Sequence, residues 1–139
     1  MLPTTLNTNE VKDAVAAEVE FSRQSTLDRK LVFNQSAEVP NLPYRITVEH
    51  REVGAGLARR RQSRILIEKS IIGQQDTLKV EKISANLAVN SPVGNMTTVT
   101  EIANVVANML SFCATTGSGT TVLFDGSGNG ASALINGTL

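Results

Sequence analysis

The sequence predicts an α+β fold: an antiparallel meander sheet with an N-terminal hairpin, followed by a C-terminal helix, or helices, interlocking with a dimer partner. Three observations carry that expectation. Residues 44–53 and 61–71 alternate apolar and polar side chains about a Gly-containing turn, the pattern of a β-hairpin. From Ile102 to Cys113 the period changes, and apolar side chains recur at helical spacing. That helix follows all the strands, and one helix covers little of a meander sheet. Helices of one chain crossing the sheet of another would bury both, which favours an intertwined homodimer.

The elements follow in order. Val15, Ala17, Val19 and Phe21 alternate weakly within Val15–Arg23, and Leu27–Asn34 follows after Gln24-Ser25-Thr26. The pair reads as the first hairpin, although Ala14–Glu20 also fits a helix. Pro40 and Pro43 interrupt any strand over Ala37–Pro43. In the second hairpin Ile46, Val48, Ile65 and Ile67 share one face, while Arg45, Thr47, Glu49, Arg51, Gln62 and Arg64 share the other. Gly73–Asp76 reads as a turn. Thr77–Val89 is strand-like, but its apolar phase shifts between Val80 and Ile83, so a bulge near Lys82 is expected. Thr98 and Glu101 have capping-box spacing ahead of the helix, and Gly117 suits its end. Thr120–Phe124 fits either a short helix or a strand. The whole chain, 1–139, reads as a single domain with a flexible Gly-rich tail over about 126–139.

Composition narrows the function. The chain of 139 residues is long enough for one domain with a core, and its formal net charge is zero. The zero hides an asymmetry: residues 45–82 hold 9 basic and 5 acidic residues, while residues 83–139 hold no Lys or Arg. Aromatics make up 4% with no Trp, which leaves a nucleic-acid face without the stacking platforms of single-strand binders. Cys113 is the single cysteine, so neither an intrachain disulfide nor a multi-thiolate zinc site is expected. The opening residues lack a basic stretch and an apolar run, and no segment approaches ~20 apolar residues, so neither a secretory leader nor a membrane contact is expected. A cytoplasmic chain is the expectation. A sheet that is apolar on one side and Arg-rich on the other packs on a core and offers an anion-binding surface, which points to a phosphate backbone as partner.

The chain resembles the coat protein of single-stranded RNA bacteriophages, the leviviruses. The resemblance lies in Gln24-Ser25-Thr26-Leu27-Asp28-Arg29, in Tyr44-Arg45-Ile46-Thr47-Val48, and in the Arg-rich strand running to Lys69. The order of elements also fits, over roughly residues 14–125. The resemblance implies a five-stranded antiparallel sheet per subunit continued across a homodimer, C-terminal helices interlocked over the outer face, and dimers closed into an icosahedral shell. It implies an inner face that binds genomic single-stranded RNA, often including a hairpin that represses translation. Transferred to this chain, the RNA-binding residues are Arg45, Thr47, Arg51, Arg64, Lys82, Ser84 and Asn86, with Glu49 and Gln62 among them. Gly73–Asp76 falls in the loop lining the symmetry axes. The implied location is the virion, assembled in the cytoplasm of a bacterial host, with no cofactor. Glu49 and Glu68 depart from the family, which tends to place neutral or basic groups there. The tail after Phe124 is unlike a long second helix.

Each feature has a plainer reading. Arg59-Arg60-Arg61 with Arg64 fits a phosphate clamp or a solvated charged loop. Thr47, Ser84 and Asn86 fit base or 2′-OH contacts, or the ordinary polar side of a sheet. His50, the single histidine, reads as a partly buried structural residue, and Cys113 as a small buried hydrophobe on the helix. Asp125–Gly130 lacks the Lys-Ser/Thr of a phosphate loop and the spacing of a calcium loop. No triad, carboxylate pair or metal cluster emerges, so an enzyme is not expected. The alternative to a coat subunit is a small dimeric RNA-binding regulator that never assembles.

Overall fold

Strands β1 (Thr5–Leu6), β2 (Phe21–Leu27), β3 (Lys30–Gln35), β4 (Tyr44–Val53), β5 (Arg60–Ile72) and β6 (Val80–Ser91) form one antiparallel sheet in chain order. The computed structural model describes residues 2–116 and 121–137. It divides into two units: Glu20–Met96 with the segment ending at Thr8, and Asn9–Val19 with the segment beginning at Thr97.

In the first unit the meander is the expected one, with the short β1 added to the five implied strands. Arg60–Ile72 holds four isoleucines and Val80–Ser91 two valines and an isoleucine, β-branched residues that fit a pleated surface. The first hairpin begins at Phe21, not Val15, and turns at Asp28-Arg29, not at Gln24-Ser25-Thr26. Arg29 adopts φ 61° to close that turn. The bulge lies in β2, between Arg23 and Ser25, whereas β5 and β6 pair without interruption from Arg61↔Ser91 to Ile72↔Val80. No bulge forms near Lys82: Leu78 belongs to the preceding turn, and Val80 stays on the side of Lys82, opposite Ile72 and exposed. The backbone N–H of Gly73 donates to Lys79 O at 2.8 Å, which removes Thr77–Lys79 from the strand.

The core of this unit sits on the apolar face of β2–β4. Phe21 and Phe33 are 1% exposed, and Ile46 is also buried. Tyr44 meets Phe21 edge-on, with ring centroids 5.1 Å apart, and Lys69 Nζ lies 5.0 Å from the Tyr44 centroid. Further along the same face the cover thins: Ile65 is 42% exposed and Ile83 56%. At one end of the sheet two connections meet backbone to backbone. Gly94 N–H donates to Arg59 O at 2.9 Å, and a Cβ on Gly94 would overlap the Gly56 carbonyl oxygen.

The second unit holds helices α1 (Thr100–Cys113) and α2 (Asn129–Asn136) and a small ladder of β7 (Thr115–Thr116) with β8 (Val122–Leu123). Val99 occupies the N-cap of α1 without a side-chain hydrogen bond, so the Thr98/Glu101 capping box does not form. Gly117 and Thr120 lie outside the described residues, and α1 already ends at Cys113. Helix α2 forms inside the Gly-rich stretch expected as a tail. Its start is seated by glycines: a Cβ on Gly128 would overlap the Cys113 carbonyl, and one on Gly130 would press on the Phe112 ring and lie 3.1 Å from Cys113 Sγ. Cys113 is therefore half-buried against α2, as a small residue at a close approach, and not fully buried. The Asp125 carboxylate accepts from Ser127 N–H at 2.9 Å and Ser127 Oγ at 2.6 Å, which orders the connection before α2. No residue of α1 is buried, and Val105, Met109 and Leu110 of its apolar face stand open. No helix among the described residues is long and apolar enough to cross a membrane.

Candidate nucleic-acid interface

Directly paired residues of neighbouring strands share a face, so the register reads the polar side of the sheet row by row. Asn34, Arg45, Glu68 and Ser84 form one row, and Val32, Thr47, Leu66 and Asn86 the next. Lys30, Glu49, Arg64 and Ala88 follow, then Arg51, Gln62 and Asn90. Lys82 lies opposite Ser70 on the same side. The structure thus brings Arg45, Thr47, Arg51, Arg64, Lys82, Ser84 and Asn86 onto one face. All of them are exposed except Thr47 and Arg64, which are half-buried.

The charges on this face are not equivalent. Arg64 Nη2 lies 2.6 Å from Glu49 Oε1, and Lys82 Nζ lies 2.5 Å from Glu68 Oε1. Cross-strand pairing creates both: Glu49 sits directly opposite Arg64, and Glu68 is one step diagonal from Lys82. Arg45, Arg51 and Lys30 form no ion pair among the described residues. The Arg59-Arg60-Arg61 cluster is split by strand alternation. Arg60 stays on the polar face, its Nε donating to Asn90 Oδ1 at 2.8 Å. Arg61 turns to the opposite face and donates through Nη2 to Glu52 Oε1 at 2.9 Å. That hydrogen bond, supported by the charges of Arg59, Arg61 and Arg29, holds the Glu52 carboxyl below its ordinary pKa.

A shallow depression of about 710 Å³ crosses β3–β6 at the end near the Asp28-Arg29 turn. Arg29, Lys30, Arg51 and Arg64 line it together with Asp28 and Glu49, and Gln62 and Asn90 supply amides. The excess of cations suits an anionic chain lying across the strands. Arg29 and Lys30 are the contributors the sequence reading missed. The alternation Lys30, Val32, Asn34 carried the signal, but placing Lys30 beside Glu49 requires the β3–β4 register.

His50 is exposed, not partly buried, and its Nδ1 lies 2.9 Å from Ser63 Oγ on the apolar side of the strands. No carboxylate completes that pair into a triad among the described residues. No group of His, Cys, Asp and Glu among them could hold a metal ion.

No family model matches this chain, and no curated protein matches it. Solved structures do. The virus-like particle of bacteriophage EMS014 superposes with a TM-score of 0.69 at 16% identity, covering 100% of this chain and 99% of that one. The capsid protein of bacteriophage GA gives 0.54 at 17% identity over 87% and 85%, and the virus-like particle of Beihai levi-like virus 32 gives 0.55 at 18% identity over 68% and 75%. The chain has the fold of RNA-phage coat proteins.

Proposed function

We propose that this chain is the coat subunit of a levivirus-like RNA phage, a structural protein with no enzymatic role. Two copies form a homodimer, dimers close into an icosahedral shell, and the polar face of the sheet holds genomic single-stranded RNA. The observation that carries the reading is the end-to-end superposition on a chain solved as a virus-like particle. The open surfaces support self-association. Strand β6 is an edge of the sheet over Val80–Ser91, the apolar face of β5 and β6 is incompletely covered, and the apolar side of α1 stands open. A second copy that continues the sheet at β6 and lays its helix on that face would satisfy all three. The cationic rows support the RNA half of the reading, and a repressor role would use the same face.

Purified protein examined by negative-stain microscopy, with its nucleic acid extracted after nuclease treatment, tests this reading. Closed particles holding nuclease-protected RNA are expected. A monomer at micromolar concentration refutes the coat role. Dimers that bind RNA and never form particles favour the regulator.

A further inference from the structure

Two of the cations on the polar face are already engaged by carboxylates. Arg64 is held by Glu49 and Lys82 by Glu68, in pairs whose partners are partly exposed. Exposed pairs of this kind are weak and are readily exchanged for another anion. The Arg64 pair is also incomplete as a fork, because Arg64 Nε is screened from solvent and has no acceptor among the described residues. A phosphate arriving at Arg64 or Lys82 must displace a carboxylate and then lie beside it. At Arg45, Arg51 and Lys30 no such exchange is required.

We propose that Glu49 and Glu68 are built-in competitors that set how strongly this face holds RNA. They bias phosphate contacts toward the cations without a carboxylate partner, Arg45, Arg51 and Lys30 with the Asn90-bonded Arg60, and keep Arg64 and Lys82 largely neutralised. The inference rests on the RNA-binding reading above and adds its regulation. A face neutralised in this way grips a nucleic acid weakly, because Arg64, beside the Thr47 and Asn86 row, and Lys82, two rows away on β6, are withdrawn from the phosphates. Because both pairs are partly exposed, removing a carboxylate alters affinity more than fold.

The test is titration of a short labelled single-stranded RNA of mixed sequence with the full-length chain and its Glu49→Gln, Glu68→Gln and double variants, across a range of salt. Glu81→Gln is the control. It makes the same change in net charge on the other side of β6, opposite Ile71, where Glu81 has no ion pair among the described residues. Each of the first two substitutions should steepen the log–log salt slope by about 0.7, one released phosphate contact, and raise affinity roughly two- to five-fold. The double variant should show about twice the change in slope, and Glu81→Gln should leave the slope unaltered. Wild-type binding with equal slopes in all variants overturns the inference and leaves the RNA reading standing. So does a Glu81→Gln change equal to that of Glu49→Gln, which would make net charge the cause. Absence of RNA binding by every protein refutes both the RNA reading and this inference. Binding confined to the Glu→Gln variants of the polar face would support it, with a competition strong enough to exclude RNA from the wild-type face.

Discussion

Phe33, Ile46 and Ile67 form a row across β3, β4 and β5, and Asn34, Arg45 and Glu68 form the adjoining row one residue further along β3 and β5 and one back along β4. The two rows share strands, hydrogen bonds and twist, yet they answer to different physics. On the first, stability follows from area removed from water, and the cover runs from complete at Phe33 to partial at Ile67. On the second, almost nothing is buried, and what matters is which charge has a partner. A change on the first row should therefore be read in folding or association, and one on the second in salt dependence.

The largest effect is expected at Phe33. Replacing this fully buried ring by Ala should cost about 3–5 kcal/mol by chemical denaturation, and a cost under about 1 kcal/mol would remove the β2–β4 face from the core. Ile65→Asp should come next. Because Ile65 is 42% exposed in the single chain, the fold should survive while a charge appears where a second copy would sit. Sedimentation should show the dimer weakened roughly a hundred-fold, with circular dichroism unchanged. Intact dimers would mean that the open apolar face is covered by something else.

Acid should produce a smaller loss. Glu52 is held below its ordinary pKa by the hydrogen bond from Arg61, and Asp125 by hydrogen bonds from the Ser127 hydroxyl and backbone. A carboxyl whose pKa is lowered on folding contributes stability that is complete above its unfolded pKa and is lost as pH falls through its folded pKa. Melting temperature should therefore fall through the carboxylate range, and Glu52→Gln should make the fall shallower. An unchanged acid limb in that variant would show that the Glu52–Arg61 pair, exposed as it is, contributes nothing measurable. The smallest effect belongs to the polar row: Arg51→Ala should leave stability within about 0.5 kcal/mol and reduce the salt slope of RNA binding by about 0.7. A destabilised Arg51→Ala variant would instead give this arginine a structural task.

Much of this division was legible in the sequence, and particular residues show why. Arg45 to Glu49 alternates cleanly and Arg64 to Glu68 does so apart from Leu66, so both faces of the second hairpin follow largely from period. The seven proposed RNA-binding residues fall on one side because that alternation extends into β6. Elsewhere local signals misled. Val15, Ala17 and Val19 alternate but belong to the irregular segment before Phe21, and Leu78 has strand character but is held in a turn by the Gly73–Lys79 hydrogen bond. Helix α2 was hidden by Gly126, Gly128 and Gly130; the last two lie there because the chain passes close to the end of α1, and Gly126 because its φ is 85°. The Glu49–Arg64 and Glu68–Lys82 pairs needed the register, which composition does not contain.

The contact of Gly94 with the Gly56 carbonyl links two connections that are distant in the chain, the one between β4 and β5 and the one that follows β6. Because backbone meets backbone there, no side chain can shrink or rotate to make room. The lengths of the two connections are therefore coupled. As such chains diverge, an insertion in residues 54–59 must be matched by a change near residues 92–95, whereas the close backbone approaches of the turn at Gly73–Lys79, which holds the exposed Leu78, stay inside that turn, so within one chain its length is not coupled in this way.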